Sequence, residues 1–413
     1  MGEGGGSRRQ RRDGVDRAKP IFVMLQGAMA QREAAPLGAE KQIRAPCGVV
    51  VVYSPTDLYA SRHEKDTRTE LARRLARLKG FEFAGEYSPA ARFRGSVYFL
   101  PSDTLVGTEA AHALGIRGEH DLFGGVVPHP FVATKLITHP LVDPDACAPS
   151  GWSCAFGDRV RDVVHPGFSV FTPDDVRQAG ARLLRHGPVR IKPVRETGGR
   201  GQAVVSTSAE LDAALDAMDA TVLSSDGLVL EQELSDAATY SVGQVRVAEL
   251  VATYCGTQRL TRDNGGAVVY GGSELLVARG DFDMLLGLRL SEEAQLAVAQ
   301  ARTYDAAAAE CFPGLFASRR NYDIAAGADT GGQRRCGVLE QSWRMGGASG
   351  AEVAALEAFR AEPAIPAVRA STVELYGESE APPPDATVYF RGVDDRIGFV
   401  TKYARAAPYG DPR

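Results

Sequence analysis

The stretch "VRIKPVRETGGRGQAVV", Val189 to Val205, decides how this chain is read. Val189, Ile191 and Val194 mark an apolar strand, yet Lys192 lies inside it. Behind it come Gly198-Gly199-Arg200-Gly201 and a second apolar run, Ala203 to Val205. An ammonium taken out of water is costly unless an anion meets it. A glycine-rich loop exposes backbone N–H groups, which are themselves anion ligands. The pair predicts a hairpin that meets a phosphate, its charge balanced only when that phosphate is bound. The plainer alternative is a lysine facing water beside a flexible turn.

Context sets the type of hairpin. After the glycines, "QAVVSTS" continues as a strand, and a helix starts at "TSAELDAAL" with Thr207 and Glu210 spaced as a capping box. "GLVLEQEL" then closes the unit as another strand. A Walker A loop has its lysine after the glycines and a helix directly following, so it is excluded. A Rossmann fingerprint also needs the helix at once. In a protein kinase the glycine loop precedes the lysine strand, the reverse of the order here.

Outward from this unit the chain reads as mixed α/β (α+β). "GVVVVYS", the amphipathic "EKDTRTELARRLARLKG" with Gly80 as C-cap, "FEFAGEY" and "SVYFLPSDTL" predict an N-terminal α/β domain over 46–125, after a disordered arm over 1–45. "HPFVATKLITHPL" is helix-like and carries Lys135, and Thr172-Pro173 punctuates the start of another helix. Residues 126–236, with the glycine hairpin, form a small subdomain, and 237–413 a larger one. In the latter, Asn264-Gly265 marks a hairpin turn, Ser291 caps a helix, and Ser349 with Glu352 is spaced as a capping box.

Composition bounds the function. The chain has 413 residues, 24% charged and 44% hydrophobic, with a formal charge of −5. That balance argues against a nucleic-acid binder, which needs a basic surface. The six cysteines show no CxxC pair and are expected as reduced, mostly buried thiols. "IFVMLQGAMA" is too short and polar for an export signal, and no run reaches 18 apolar residues, so a cytoplasmic protein is expected.

Two further segments carry acids. In "VLEQSWRMGG", period-two alternation places Glu340, Ser342 and Arg344 on one face, and in "NYDIAAGA" it does the same for Asn321 and Asp323. Two acidic strands beside a lysine and a glycine loop suit Mg²⁺ carried by a polyphosphate, since Mg²⁺ takes one or two carboxylates plus phosphate oxygens. Spacing alone favours the plainer alternative, a surface ion pair of Glu340 with Arg344. All seven histidines lie at or before His186, so the Lys–Gly–acid half contains no histidine base. Phosphoryl transfer needs none, because positioning and electrostatics do most of the work.

Lys135, Lys192 before a glycine hairpin, "LVLEQEL" and "YDIAAGAD…GVLEQSWRMGG", in that order, resemble the ATP-grasp superfamily, and more narrowly an uncharacterised bacterial ATP-grasp-like family annotated only as a domain of unknown function. The resemblance covers roughly residues 130–355. It implies a nucleotide cleft between two α+β subdomains, with ATP and Mg²⁺ as cofactors. Lys135 and Lys192 then match the lysines that contact the phosphates, and Gly198, Gly199 and Gly201 match the flap over them. Glu231 or Glu233 reaches adenine or ribose. Asp323 and Glu340 match the metal carboxylates, with Ser342 where the family usually has asparagine, and Arg344 matches the arginine near the transferred phosphate. The implied activity is ligation: a small carboxylate becomes an acyl phosphate and an amine or similar nucleophile displaces the phosphate. A nucleotide-binding or regulatory protein without turnover, and a small-molecule kinase, are the alternatives. Arg246, Arg259 and Arg262 are candidates to grip an acidic substrate, or are surface residues.

Overall fold

Val50, Val51 and Val52 are fully buried because the strand they occupy, β1 (Gly48–Tyr53), is flanked on both sides. It pairs in parallel with β2 (Glu82–Glu86) and β3 (Ser96–Pro101), with α1 (Arg62–Lys79) packed against them. The computed structural model describes residues 1, 47–54, 61–195, 201–378 and 381–410. The expected arm over 1–45 (Met1 apart), Gly198 and Gly199 lie outside those residues. The elements below belong to one unit, Pro46–Arg413.

After β3 come β4 (Leu105–Val106), α2 (Thr108–Ala113) and β5 (Gly125–Val127). The helix expected around Lys135 is instead two 3-10 turns, Pro130–Ala133 and Lys135–Thr138. Thr134 interrupts them: it is extended, and its hydroxyl caps Leu136 N. Then follow α3 (Cys154–Val160), β6 (Gly167–Val170), α4 (Pro173–Leu183), β7 (Val189–Pro193), β8 (Ala203–Val205), α5 (Ser208–Asp216), α6 (Ala220–Asp226) and β9 (Leu228–Gln232). The four strands form an antiparallel sheet in the order β6-β9-β7-β8. Thr172 caps α4 with Pro173 in its first turn, as the sequence predicts.

The remaining elements are β10 (Ser235–Val247), β11 (Leu250–Arg262), β12 (Val268–Arg279), α7 (Phe282–Leu286), α8 (Glu292–Cys311), β13 (Phe316–Ala317), β14 (Arg319–Ala328), β15 (Arg334–Ser342), α9 (Ser349–Ala361), β16 (Ala367–Tyr376), β17 (Thr387–Asp394) and β18 (Gly398–Pro408). Eight of them form one antiparallel sheet in the order β15-β14-β10-β11-β12-β16-β18-β17. Alternation splits its side chains between two cores. Tyr254, Leu275, Val277, Ala370 and Ala404 pack with α9, while Val242, Cys255, Tyr322, Ile324 and Val338 pack with α8.

Asp394 ties the far edge of this sheet to α1. Its Oδ2 accepts from His63 N at 3.0 Å, and its Oδ1 from Arg396 N at 2.9 Å, so one carboxylate serves both a helix start and a hairpin turn. The cysteines correct an expectation. All are free, but only Cys255 is buried, whereas Cys47, Cys147 and Cys154 are exposed. No described helix is long and apolar enough to cross a membrane.

Candidate functional site

Lys192 is buried, and its ammonium already has an anion. Its Nζ donates to Glu231 Oε1 at 3.1 Å and Oε2 at 3.3 Å. Register explains the meeting: Lys192 faces Val229 and Ile191 faces Leu230, so Lys192 and Glu231 sit diagonally on one face of the β7–β9 ladder. Neither the water-facing lysine nor the charge balanced only by a bound phosphate survives. Glu231 is equally committed. Strand β9 pairs on both sides, so Glu231 is not on an edge.

Histidines, excluded from this half by their place in the sequence, reach it through the fold. His139 Nε2 lies 2.9 Å from Glu231 Oε2, its ring seated where Gly167 has no Cβ to obstruct it. Burial alone pushes the Glu231 carboxyl up, but the Lys192 ammonium and the His139 hydrogen bond outweigh it and hold the group well below the carboxylate range. His165, just before β6 of the small sheet, packs against the large sheet. Its Nε2 lies 3.2 Å from Ala325 O, and its backbone fits against Gly337, where a Cβ would come within 2.9 Å of it. Burial lowers the His165 pKa most, with the Glu231 charge opposing. Glu233 pairs with Arg190, accepting from its Nε at 2.6 Å. Both carboxylates proposed from sequence for adenine or ribose are thus engaged by cations of their own sheet.

The buried neutral His165 sets a pH dependence. Its folded pKa is depressed, so the unfolded chain takes up a proton first as pH falls through about 6.5. The stability tied to His165 is present above that pH and lost below it. The melting temperature should fall between about pH 7.5 and 5.5, and less so in His165→Asn. His63, also lowered mainly by burial, contributes with the same sign. An unchanged slope in the variant would remove His165 from this account.

On the large sheet, β14 and β15 bring the acids together. Asp323 pairs with Glu340 and Asn321 with Ser342, while Leu339 bulges out of the ladder between Val338 and Glu340. Asp323 Oδ1 accepts from Asn321 Nδ2 at 2.9 Å and from Ser241 Oγ at 3.2 Å. Burial first, and then the Glu340 charge, raise the Asp323 pKa. Adjacent carboxylates with that mutual repulsion suit a hard divalent cation. Among the described residues no group of three or more His, Cys, Asp or Glu could hold a metal unaided.

Lys135 Nζ lies 3.1 Å from Glu340 Oε2. The residue between Glu340 and Ser342 sets this contact. Gln341 points to the opposite face, where its Nε2 donates to Val132 O at 2.9 Å and Thr134 O at 2.7 Å. Tyr304 OH donates to its Oε1 at 3.0 Å. Gln341 therefore fastens the Lys135 segment to the strand that carries Glu340.

Ser342 and Arg344 are held from behind by Arg319. Its Nη1 donates to Ser342 O at 3.2 Å, Ser342 Oγ at 3.3 Å and Arg344 O at 2.6 Å. Arg319 is itself buried against Glu352, whose Oε1 accepts from Arg319 Nη2 at 2.8 Å and from Tyr254 OH at 2.5 Å. The capping box expected from Ser349 and Glu352 does not form, because Glu352 is turned into this ion pair. Arg344 lies beyond the end of β15, with its Nε 3.6 Å from Asp103 Oδ1. Of the flap glycines, Gly201 is described: its φ of 65° is left-handed, a conformation glycine adopts without strain.

The three candidate substrate arginines do not gather here. Ser241 contacts Asp323, so alternation turns Arg246 to the other face, where its Nε lies 3.1 Å from Glu119 Oε1. Arg259 lies 3.9 Å from Glu274, and Arg262 Nη1 donates to Gly266 O at 2.8 Å within its own hairpin.

Residues 51–404 match the family described as "Protein of unknown function (DUF3182)". The chain belongs to that family. No curated protein sequence matches it. Among solved structures, N5-carboxyaminoimidazole synthetase from Staphylococcus aureus complexed with ADP is similar over 89% of this chain and 94% of its own, with 11% identity and a TM-score of 0.50. Phosphoribosylamine–glycine ligase from Thermotoga maritima follows at 15% identity and a TM-score of 0.48, covering 87% and 92%. The fold of this family member is ATP-grasp, mixed α/β, with a four-stranded and an eight-stranded antiparallel sheet.

Proposed function

We propose that this protein is an ATP- and Mg²⁺-dependent ligase that activates a small carboxylate. The observation that supports this best is the cross-strand pair Asp323–Glu340 with the buried Lys135 against it. Two carboxylates and a lysine at one point of an ATP-grasp cleft suit a metal-bound triphosphate. The similar structures are named for ligase and synthetase activities and one holds ADP, which accords with the proposal.

In this reading Lys135 and Lys192 meet the phosphates, with Gly201 beside them. Asp323, Glu340 and Ser342 would hold Mg²⁺, which neutralises charge on the phosphate oxygens when bound. A substrate carboxylate oxygen attacks the γ-phosphorus and ADP leaves. An amine or similar nucleophile then adds to the acyl carbon, and phosphate departs. Arg344, at the edge facing Asp103, stabilises the acyl phosphate oxygens.

One observation favours a second reading, a nucleotide-binding protein without turnover. The Ser342 hydroxyl, in the place of the usual asparagine, already accepts from Arg319. Thermal melting with and without Mg-ATP tests the shared part. Ligand at about 100 times its Kd should add roughly 2.7 kcal/mol. Lys192→Met, which keeps the buried volume, should abolish the shift. No shift in the wild type sinks both readings. ADP release with a panel of carboxylates and amines then separates ligase from binder.

A further inference from the structure

A cavity of about 190 Å³ lies between α3, Phe312 just after α8, and residues of the 137–144 segment. Among the described residues that line it, none belongs to β7, β9, β14 or β15, the strands that carry Lys192, Glu231, Asp323 and Glu340. Four aromatic rings form its wall. Phe131 and Trp152 have centroids 5.3 Å apart, Phe131 and Phe312 6.3 Å, and Phe156 and Phe312 5.2 Å. Rings spaced in this way take a further ring edge-on or offset. The volume exceeds the roughly 150 Å³ of an engineered apolar cavity that stays dry and binds benzene. Charge narrows the class of ligand. Among the described residues no lysine or arginine lines the cavity, and His139, which does, is already bonded to Glu231. Its two acids are engaged: Asp143 accepts from Arg182 Nη2 at 3.2 Å, and Asp158 is paired with Arg161. A cation would have to displace a guanidinium, and an anion finds no partner. Ser153 Oγ, at the start of α3, accepts from Phe156 N at 3.2 Å and keeps its own hydrogen to donate.

We propose that this cavity is a ligand site for a small, uncharged aromatic compound carrying a hydrogen-bond acceptor. Its place gives the occupant a route to the lysines. Ile137 lines the cavity and shares a 3-10 turn with Lys135. His139 lines it and lies 2.9 Å from Glu231, which pairs with Lys192. A filled cavity restrains both supports and leaves less ordering for a nucleotide to impose, so the two ligands bind with positive coupling. Binding in the cavity stands alone, whereas the coupling rests on the nucleotide reading above.

The probe is benzyl alcohol, with benzoate and benzylamine as charged counterparts of the same ring. Cys154 is exposed and lines the cavity, whereas Cys47 and Cys147 are exposed and do not line it. At about ten times its Kd, benzyl alcohol should slow alkylation of Cys154 by N-ethylmaleimide about tenfold, the mass-action limit for a covered thiol. Cys47 and Cys147, followed by peptide mass spectrometry in the same full-length protein, should react at their former rates. Benzoate and benzylamine should need about tenfold higher concentrations, since each brings an unpaired charge against the aromatic wall. Gly157→Val builds a side chain from a lining position where a Cβ meets Pro140 at 3.5 Å, and should weaken benzyl alcohol about tenfold. If that variant does not fold, the alkylation of the wild type decides. No slowing at Cys154 up to about 10 mM, or equal slowing at Cys47, overturns the site. Equal affinity for benzoate overturns the uncharged class. Mg-ATP affinity, measured by calorimetry with the cavity empty and filled, should rise about fivefold on filling. Unchanged or weaker Mg-ATP binding overturns the coupling and leaves the site. Absence of Mg-ATP binding in either condition overturns the nucleotide reading and the coupling with it.

Discussion

Glu352→Ala is expected to destabilise the protein by about 3–5 kcal/mol, because it leaves Arg319 buried without a counter-charge. Arg319 and Glu352 are among the most buried charged side chains described, with exposures of 1% and 0%. Water cannot reach in to solvate the stranded guanidinium, so the cost of its burial falls on the folded state alone. In thermal melts this should appear as a drop on the order of 10 °C. The double variant Arg319→Met, Glu352→Ala should recover much of the loss, since it removes the unpaired charge as well. Tyr254 OH keeps a partner either way, because Asn321 Oδ1 lies 2.9 Å from it. A double variant no more stable than Glu352→Ala would mean that the two residues do not act as a pair. Arg319 also donates to Ser342 and Arg344, so its loss should loosen the end of β15 even where stability is restored.

Glu231→Ala is the second large effect. It strands the Lys192 ammonium and removes the partner of His139 Nε2 in a site where all three side chains are buried. A loss of about 3 kcal/mol or more in chemical denaturation is expected on the same physical ground. Glu231→Gln should cost less, because its amide oxygen still accepts from Lys192. If Lys192 meets a phosphate, Mg-ATP should stabilise Glu231→Ala more than it stabilises the wild type, since the nucleotide supplies the missing anion. A smaller nucleotide shift in the variant would place Lys192 outside the phosphate site. The carboxylate also carries a pH signature. Its folded pKa is depressed, so its stabilisation is complete above the ordinary carboxylate range and is lost only as acid carries the pH down through the folded value.

Local rules were readable wherever a residue acts on its own neighbours. Thr172 and Ser291 cap the helices predicted for them, because a cap needs only a hydroxyl and an N–H three residues away. The turn expected at Asn264-Gly265 does join β11 to β12, but Asp263 builds it, its Oδ1 accepting from Gly265 N and Ala267 N at 2.9 Å each, with the left-handed φ at Gly266. Alternation foretold that Asp323 shares a face with Asn321, and Glu340 with Ser342. It could not foretell that the two faces meet with Asp323 opposite Glu340, since that register depends on a bulge at Leu339. The Glu352 signal misled for a related reason: three residues after a serine suits a capping box and equally suits a carboxylate aimed inward at Arg319. His139 and His165 left a faint trace at most. A histidine beside a proline, as in His139-Pro140 and His165-Pro166, marks an extended backbone but says nothing of the strand it will reach.

Periodicity and the order of lysines, glycines and acids, read with the family resemblance, pointed to the class of fold and to its candidate charged residues, because those properties act along the chain. Which charge faces which was decided only when the chain closed. Lys192 meets Glu231, Lys135 meets Glu340 and Arg319 meets Glu352 across 39, 205 and 33 positions, by subtraction of their numbers. Coulomb attraction and desolvation act through space, so burial turns the charges of a linear list into three committed ion pairs.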